Sequence, residues 1–319
     1  MNPPQHFLAP IQTYLSEVEN RMRQLDDHHH QELGNALEHL LSSGGKRIRP
    51  AVALLTGRMY GGDIQRLVSL SSAIELLHTA TLVHDDLIDG SLLRRGIATL
   101  NAKWSPAATV LTGDFIFAQA ARWAAETESV YLMKQFSMTL ATIVNGEINQ
   151  LFSTHRYSSR EEYYARIYAK TASLFELAAN AAAHLSEMPA ETVEAMRKFG
   201  YDLGMAFQIV DDILDFTGAQ ETIGKPVASD LRQGLITLPF ICYMEKNPED
   251  DEVQAILLGE KANIDKLVND IRSSGAVTDA FQIARSYIND ANRILENQPG
   301  CQEREALKEL SEYVVMRHI

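Results

Sequence analysis

The chain reads as an all-α protein, a prediction resting on three features of its 319 residues. Apolar residues recur at spacings of three and four, as in Leu67, Leu70, Ile74, Leu77 and then Leu82, the period of a helix that buries one side. Alternating β-branched runs, the mark of half-buried strands, are few. Glycine and proline fall where helices should stop or start.

Taken in order, Gly44-Gly45 predicts a turn, and a helix is expected to begin near Pro50. Gly61-Gly62 is the next boundary, and Gly90 closes the apolar segment 64–89. Pro106 and Pro189 mark further boundaries, and Gly218 follows the apolar segment 190–217. Gly224 with Pro226, Pro239, Pro248 and Pro299 punctuate the remainder. The segments 64–89 and 190–217 are long and strongly apolar, so they belong in the core of a helical bundle. No low-complexity linker or break in composition divides the chain, and residues 1–319 are expected to form a single domain.

The 29 Lys and Arg against 42 Asp and Glu give a formal charge of −13. That argues against a nucleic-acid binder, whose footprint would be a basic face. The N-terminal MNPPQHFLAP lacks the basic start and apolar stretch of a signal peptide, and no apolar run approaches the roughly 18 residues that span a bilayer. The expectation is a soluble, cytoplasmic protein. Cys242 and Cys301 form no metal or redox spacing and are expected to be reduced and structural.

Two acidic clusters stand out. LVHDDLIDGSLLRRG at 82–96 carries Asp85, Asp86 and Asp89, and IVDDILDF at 209–216 repeats the spacing as Asp211, Asp212 and Asp215. At about 100° per residue, positions i and i+4 point nearly the same way, so Asp85 and Asp89 share a helix face, as do Asp211 and Asp215. Aspartate is a poor helix former, and like charges at this spacing destabilise a helix further. Such clusters in apolar sequence call for a cation. Carboxylates with a single neighbouring histidine, His84, and no Cys suit a hard ion such as Mg²⁺, which takes one or two carboxylates, waters and phosphate oxygens. The plain alternative is that each cluster caps a solvated helix end; repetition of one spacing after two long apolar segments favours the cation.

Cations complete the pattern. In SSGGKRIRP, a glycine turn precedes Lys46, Arg47 and Arg49 at an expected helix start, and both backbone N–H groups there and guanidinium forks favour phosphate. Arg94 and Arg95 follow the first acidic cluster, and Lys170 and Lys225 stand near other helix boundaries. Any one of these alone is ordinarily a surface cation. Together with two magnesium-type clusters they point to a cavity for two phosphorylated ligands, one held through metal and one by side chains alone.

With these residues in view, the sequence resembles the trans-isoprenyl diphosphate synthases, or polyprenyl synthetases. The resemblance runs in order through GGKRIRP at 44–50, LLHTATLVHDDLID at 76–89, LLRRG at 92–96, GDFIFA at 113–118, KTASLF at 170–175, FQIVDDILDF at 207–216, GKPVASDL at 224–231 and TLP at 237–239. It implies the all-α isoprenoid synthase fold around a central cavity, a homodimer, and Mg²⁺-dependent condensation of isopentenyl diphosphate with an allylic diphosphate. Asp85, Asp86, Asp89, Asp211, Asp212 and Asp215 match positions that bind Mg²⁺ or its waters. Arg94, Lys170, Thr171, Gln208 and Lys225 match the allylic diphosphate site, and Lys46, Arg49, His78 and Arg95 the isopentenyl diphosphate site. Asp85, Asp86, Asp89, Arg94, Lys170, Asp211 and Lys225 are the catalytic candidates.

That chemistry needs cations against the departing diphosphate and dry walls around the allylic cation. Apolar faces near Phe115, Phe117, Phe175 and Phe207 are candidate walls, although each residue is individually ordinary core material. No nucleophile or triad is required, and the resemblance assigns the last proton to the released diphosphate. Gly234 and Leu235 stand where many relatives carry a further lysine, a departure that long-chain members often share.

A growing tail should run back along the helix of the first cluster, and residues four and five positions earlier, Thr81 and Ala80, would meet it about one turn away. Short-chain relatives often place aromatics there. Small residues, and a first motif lacking the two-residue insertion of many bacterial short-chain enzymes, predict a long-chain polyprenyl diphosphate. Leu77, Ala73 and the segment around Ile143, Val144 and Ile148 are candidates for the tunnel floor. The alternatives are a farnesyl or geranylgeranyl diphosphate synthase, or one subunit of a two-component synthase. Release of a very hydrophobic product is compatible with peripheral membrane contact.

Other classes fit less well. An HD-type phosphohydrolase needs more metal-binding histidines than His84-Asp85 brings, and a terpene cyclase ordinarily has an Asn/Ser/Glu second motif. His28, His29 and His30 are consecutive, so they do not share a helix face and read as a solvated turn. PEDDE at 248–252 reads as the cap of a surface helix.

Overall fold

A computed structural model describes residues 6–24, 29–42, 44–94, 96–152, 159–218 and 227–316. A 3₁₀ turn (His6–Ile11) is followed by α1 (Gln12–Met22), α2 (Gln31–Ser42), α3 (Ile48–Met59) and α4 (Ile64–Ile88). A short hairpin, β1 (Leu93–Arg94) and β2 (Ile97–Ala98), leads to α5 (Leu100–Lys103), α6 (Pro106–Ala125), α7 (Val130–Phe152) and α8 (Arg160–Ile167). A π-helical turn (Tyr168–Ala172) joins α8 to α9 (Ser173–Leu185), and α10 (Ala190–Thr217) follows. The remaining helices are α11 (Ser229–Arg232), α12 (Leu238–Lys246), α13 (Asp251–Leu258), α14 (Ile264–Ser273), α15 (Ala276–Glu296) and α16 (Gln302–Met316). Among the described residues the hairpin is the sole strand pairing, with Leu93 opposite Ala98 and Arg94 opposite Ile97. The chain forms two compact units, the first of residues 1–138, 174–197 and 298–307, the second of 139–173, 198–297 and 308–319.

In the first unit α4 packs against α6, α3 and α1. Asp63 caps it, its carboxylate accepting the Arg66 amide at 2.9 Å. Leu67, Val68, Leu70, Ala73, Ile74 and Leu77 are fully buried, as befits a helix that is apolar on every side. Each large side chain so buried stabilises the fold by about 1.5–3 kcal/mol. The polar residues on α4 satisfy themselves locally: Ser72 donates to the Val68 carbonyl and Thr79 to that of Glu75, both at 2.8 Å. This helix is long and apolar enough to cross a membrane, yet 72% of its most apolar window is buried inside the protein. α3 begins at Ile48, two residues before Pro50, because Arg47 takes the N-cap position in a left-handed conformation, φ 48°. Pro50 then falls in the first turn, where its missing N–H costs nothing.

In the second unit, Ser159 and Glu162 form a reciprocal capping box at the start of α8, satisfying two otherwise orphaned N–H groups. α12 packs on α15, burying Leu238, Phe240 and Ile241. Asp250 caps α13, accepting the amides of Glu252 and Val253 at 2.9 and 3.1 Å, so the acidic stretch at 248–252 does the work of a helix start. Cys242 and Cys301 are free thiols.

Candidate active site

The first acidic cluster occupies the last turn of α4. Asp89 is the C-cap, its amide bonded to the Asp85 carbonyl at 2.8 Å. A helix C-terminus carries roughly half a negative charge, so carboxylates here oppose the dipole, the reverse of N-terminal capping. Asp86 is buried, and the Arg94 fork meets it, Nε at 2.9 and 3.0 Å from its two oxygens and Nη2 at 2.7 Å from Oδ1. The hairpin thus returns a cation onto the helix end that precedes it. Asp89 is exposed and Asp85 half-buried. Arg95 lies outside the described residues. Gly113 of α6 lies against His84, whose Nε2 would be 2.2 Å from any Cβ added there, so this glycine permits the close approach of α6 to the acidic turn.

The basic loop divides its labour. Arg47 bonds Glu75 at 2.9 Å and Glu19 at 3.0 Å. Burial disfavours its charge, but the two carboxylates outweigh that and hold the guanidinium above its ordinary pKa. It is therefore committed to the protein. Lys46 is exposed, and Arg49 lies over the ring of Phe175, 4.8 Å from its centroid, a cation–π geometry. His78 is half-buried on α4.

The second cluster lies near the C-terminal end of α10, again against the dipole. Asp212 is buried; its Oδ2 accepts the Tyr163 hydroxyl at 2.7 Å and its Oδ1 the Gln208 amide at 2.9 Å. Burial pushes its pKa up to about 7, although both hydrogen bonds favour the ionised form. Gln208 in turn accepts from Thr171 at 2.6 Å. Asp215 accepts the amide and hydroxyl of Ser229 at 3.1 and 2.9 Å and the Asp230 amide at 3.2 Å, which anchors the start of α11. Asp211 is half-buried. Lys225 lies outside the described residues.

Lys170 sits on the π-helical turn, a widening often found at functional positions. Its ammonium is 2.9 Å from Glu147 of α7. Gly146 lets α7 approach this turn, since a Cβ there would lie 2.6 Å from that of Ala169. Of the residues considered for a tunnel, Ala73, Leu77, Ala80 and Ile143 are buried, Thr81 is half-buried, and Val144 and Ile148 are exposed. Thr81 bonds its hydroxyl to the His78 carbonyl at 2.8 Å. Phe175 is fully buried, while Phe115, Phe117 and Phe207 are half-buried. His28 is outside the described residues, and His29 packs edge-on against Phe115, centroids 4.8 Å apart.

Tyr163 and Glu147 escaped the sequence reading. Tyr163 stands seven positions before Lys170, in REEYYAR, and Glu147 lies in the otherwise unremarked GEINQ of α7; neither shares the spacing of the acidic motifs, and their partners are distant in sequence.

The polyprenyl synthetase family profile matches residues 30–273. The chain is 37% identical over 285 residues to the all-trans-nonaprenyl-diphosphate synthase (geranyl-diphosphate specific) of Rhodobacter capsulatus, covering 88% of this chain and 87% of that one. It is 35% identical over 309 residues to heptaprenyl diphosphate synthase component 2 of Geobacillus stearothermophilus, covering 95% of each. Among solved structures, a polyprenyl synthase from Caulobacter crescentus CB15, complexed with calcium and isoprenyl diphosphate, superposes with a TM-score of 0.89 at 34% identity, covering 100% of this chain and 99% of that one. With the fold, both acidic helix ends and this likeness agreeing, the chain belongs to the polyprenyl synthetase family and is an all-α prenyltransferase.

Proposed function

We propose that this protein condenses isopentenyl diphosphate with an allylic diphosphate, using Mg²⁺, to build a long-chain all-trans polyprenyl diphosphate, and that residues 1–319 act as one catalytic domain. One observation carries the reading: in each unit a long apolar helix ends on the same aspartate pattern, against its own dipole. The donors of both clusters are carboxylate oxygens, the ligand type that hard cations take. Mg²⁺ commonly completes its shell with waters and phosphate oxygens, so this donor set fits an ion that arrives with diphosphate. All six aspartates of the two motifs are proposed to hold Mg²⁺ directly or through its waters. Asp86, Asp212 and Asp215, engaged by protein donors, hold the surrounding groups in place.

Bound Mg²⁺ supplies positive charge against the departing diphosphate. Arg94, Lys170, Gln208 and Lys225 orient the allylic diphosphate and share its charge, with Thr171 beside them. Lys46, Arg49, His78 and Arg95 hold isopentenyl diphosphate with its double bond toward the allylic carbon. Breaking the allylic C–O bond sends its electron pair to diphosphate; the double bond attacks the cation, and the proton lost in closing the new alkene leaves with that diphosphate. The small side chains of Ala80 and Thr81, where short-chain relatives often carry aromatics, support the long-chain assignment. A homodimer is carried over from the family resemblance.

A partner-dependent reading has one observation in its favour, the words "component 2" in the Geobacillus relative's name. Retention of both acidic clusters favours activity of this chain alone. Purified protein incubated with farnesyl diphosphate, labelled isopentenyl diphosphate and Mg²⁺ should yield long polyprenols after dephosphorylation. Farnesyl or geranylgeranyl products alone would overturn the long-chain assignment, and no elongation from any allylic primer would favour the partner-dependent reading.

A further inference from the structure

Tyr163 is fully buried on α8, and its hydroxyl donates into a chain of hydrogen bonds that passes through Asp212 and Gln208 to Thr171, beside Lys170. The polarity of this chain follows from its first member. The Tyr163 hydroxyl donates to one Asp212 oxygen and the Gln208 amide nitrogen to the other, so Gln208 turns its nitrogen inward. The Gln208 carbonyl is then directed to Thr171, which must donate its hydroxyl proton. One N–H of Gln208 remains for an anion, and the Thr171 proton is already used. Were Gln208 reversed, it would offer a carbonyl oxygen to the same anion.

We infer that Tyr163 is a positioning residue for the allylic diphosphate: by donating to Asp212 it keeps that carboxylate aimed at Gln208, so that Gln208 presents N–H rather than C=O to the ligand. This rests on the substrate reading above and gives Thr171 a bracing role in place of direct contact. Asp212 acts here as the acceptor that sets the chain's direction, not as a direct metal ligand.

The test compares Tyr163→Phe, Asp212→Asn and Asp211→Asn in the full chain, by calorimetric titration with an unreactive allylic thiolodiphosphate and Mg²⁺, and separately with isopentenyl diphosphate. Tyr163→Phe keeps the buried ring. Asp212→Asn keeps its size but can place N–H toward Gln208 and so reverse the amide. The expected result is about tenfold weaker analogue binding for Asp212→Asn and about threefold for Tyr163→Phe, the scale of one hydrogen bond lost or left unmatched. The two effects should combine non-additively, because they act through one chain. Isopentenyl diphosphate affinity and the number of Mg²⁺ bound with the analogue should stay at wild-type values in both variants and fall only for Mg²⁺ in Asp211→Asn. Loss of a Mg²⁺ from Asp212→Asn, or wild-type analogue binding by Tyr163→Phe, would overturn the inference while leaving the substrate reading intact. Failure of the wild-type chain to bind the analogue would overturn both.

Discussion

Lys170 of the π-helical turn and Glu147 of α7 form an ion pair of 2.9 Å, with the lysine 40% and the glutamate 19% exposed. A lysine expected to receive diphosphate is therefore already matched to a carboxylate. A diphosphate reaching Lys170 would share it with Glu147 or displace it, and in either case the carboxylate would repel the phosphate. Glu147→Gln should lower KM for the allylic diphosphate about two- to fivefold, the scale of a partly exposed ion pair, with little change in KM for isopentenyl diphosphate. The gain should shrink in high salt. A raised allylic KM would show instead that Glu147 is needed to hold Lys170 in place.

Asp86 and Arg94 form a second pair, buried on the carboxylate side and partly exposed on the guanidinium side. Because Arg94 meets Asp86 with a fork, Arg94→Lys keeps the charge and loses the geometry. It should destabilise the protein by about 1–2 kcal/mol in urea unfolding. In a double-mutant cycle with Asp86→Asn the losses should fall short of additivity. Additive losses would mean that the two residues act separately.

Chain length should respond on α4. Thr81→Phe is expected to shorten the principal product at little cost in stability, since Thr81 is only half-buried. Ala80→Phe should also shorten it, but Ala80 is 2% exposed, so overpacking should cost about 1–3 kcal/mol. Chromatography of dephosphorylated products, alongside thermal melts, reads both effects. Unchanged product length in both variants would remove this helix face from the tunnel.

Asp202 of α10 is fully buried, and Lys198 contacts its carboxylate. Burial raises its pKa, Lys198 opposes that shift and Asp290 adds to it. A carboxyl whose folded pKa is raised favours the folded state most below its unfolded value of about 3.9, and that contribution is lost as pH climbs through the folded pKa. Asparagine does not titrate. Asp202→Asn should therefore gain stability relative to wild type as the pH of urea unfolding is raised from about 4 to about 8. A difference independent of pH would show that Asp202 does not change its proton affinity on folding.

Periodicity and punctuation were enough to predict α4 and α10, because every turn of these helices is apolar and their ends carry Gly or a change in polarity. The start of α3 was displaced by two residues, since the left-handed Arg47 is held by Glu19 and Glu75, partners 28 positions away on either side. No local signal announces such a cap.

An all-α chain and two acidic motifs of one spacing on its apolar helices were legible in the residues, because helical period, charge and spacing are local properties; the reading of its cations as diphosphate ligands came through the family resemblance. How those residues divide their work emerged in the fold. It directed Arg47 into Glu19 and Glu75, joined Arg94 to Asp86, and placed Tyr163 and Gln208 on Asp212. A buried polar group must find a partner wherever the fold brings one within hydrogen-bonding distance, and partners dozens of residues apart along the chain leave no periodic trace.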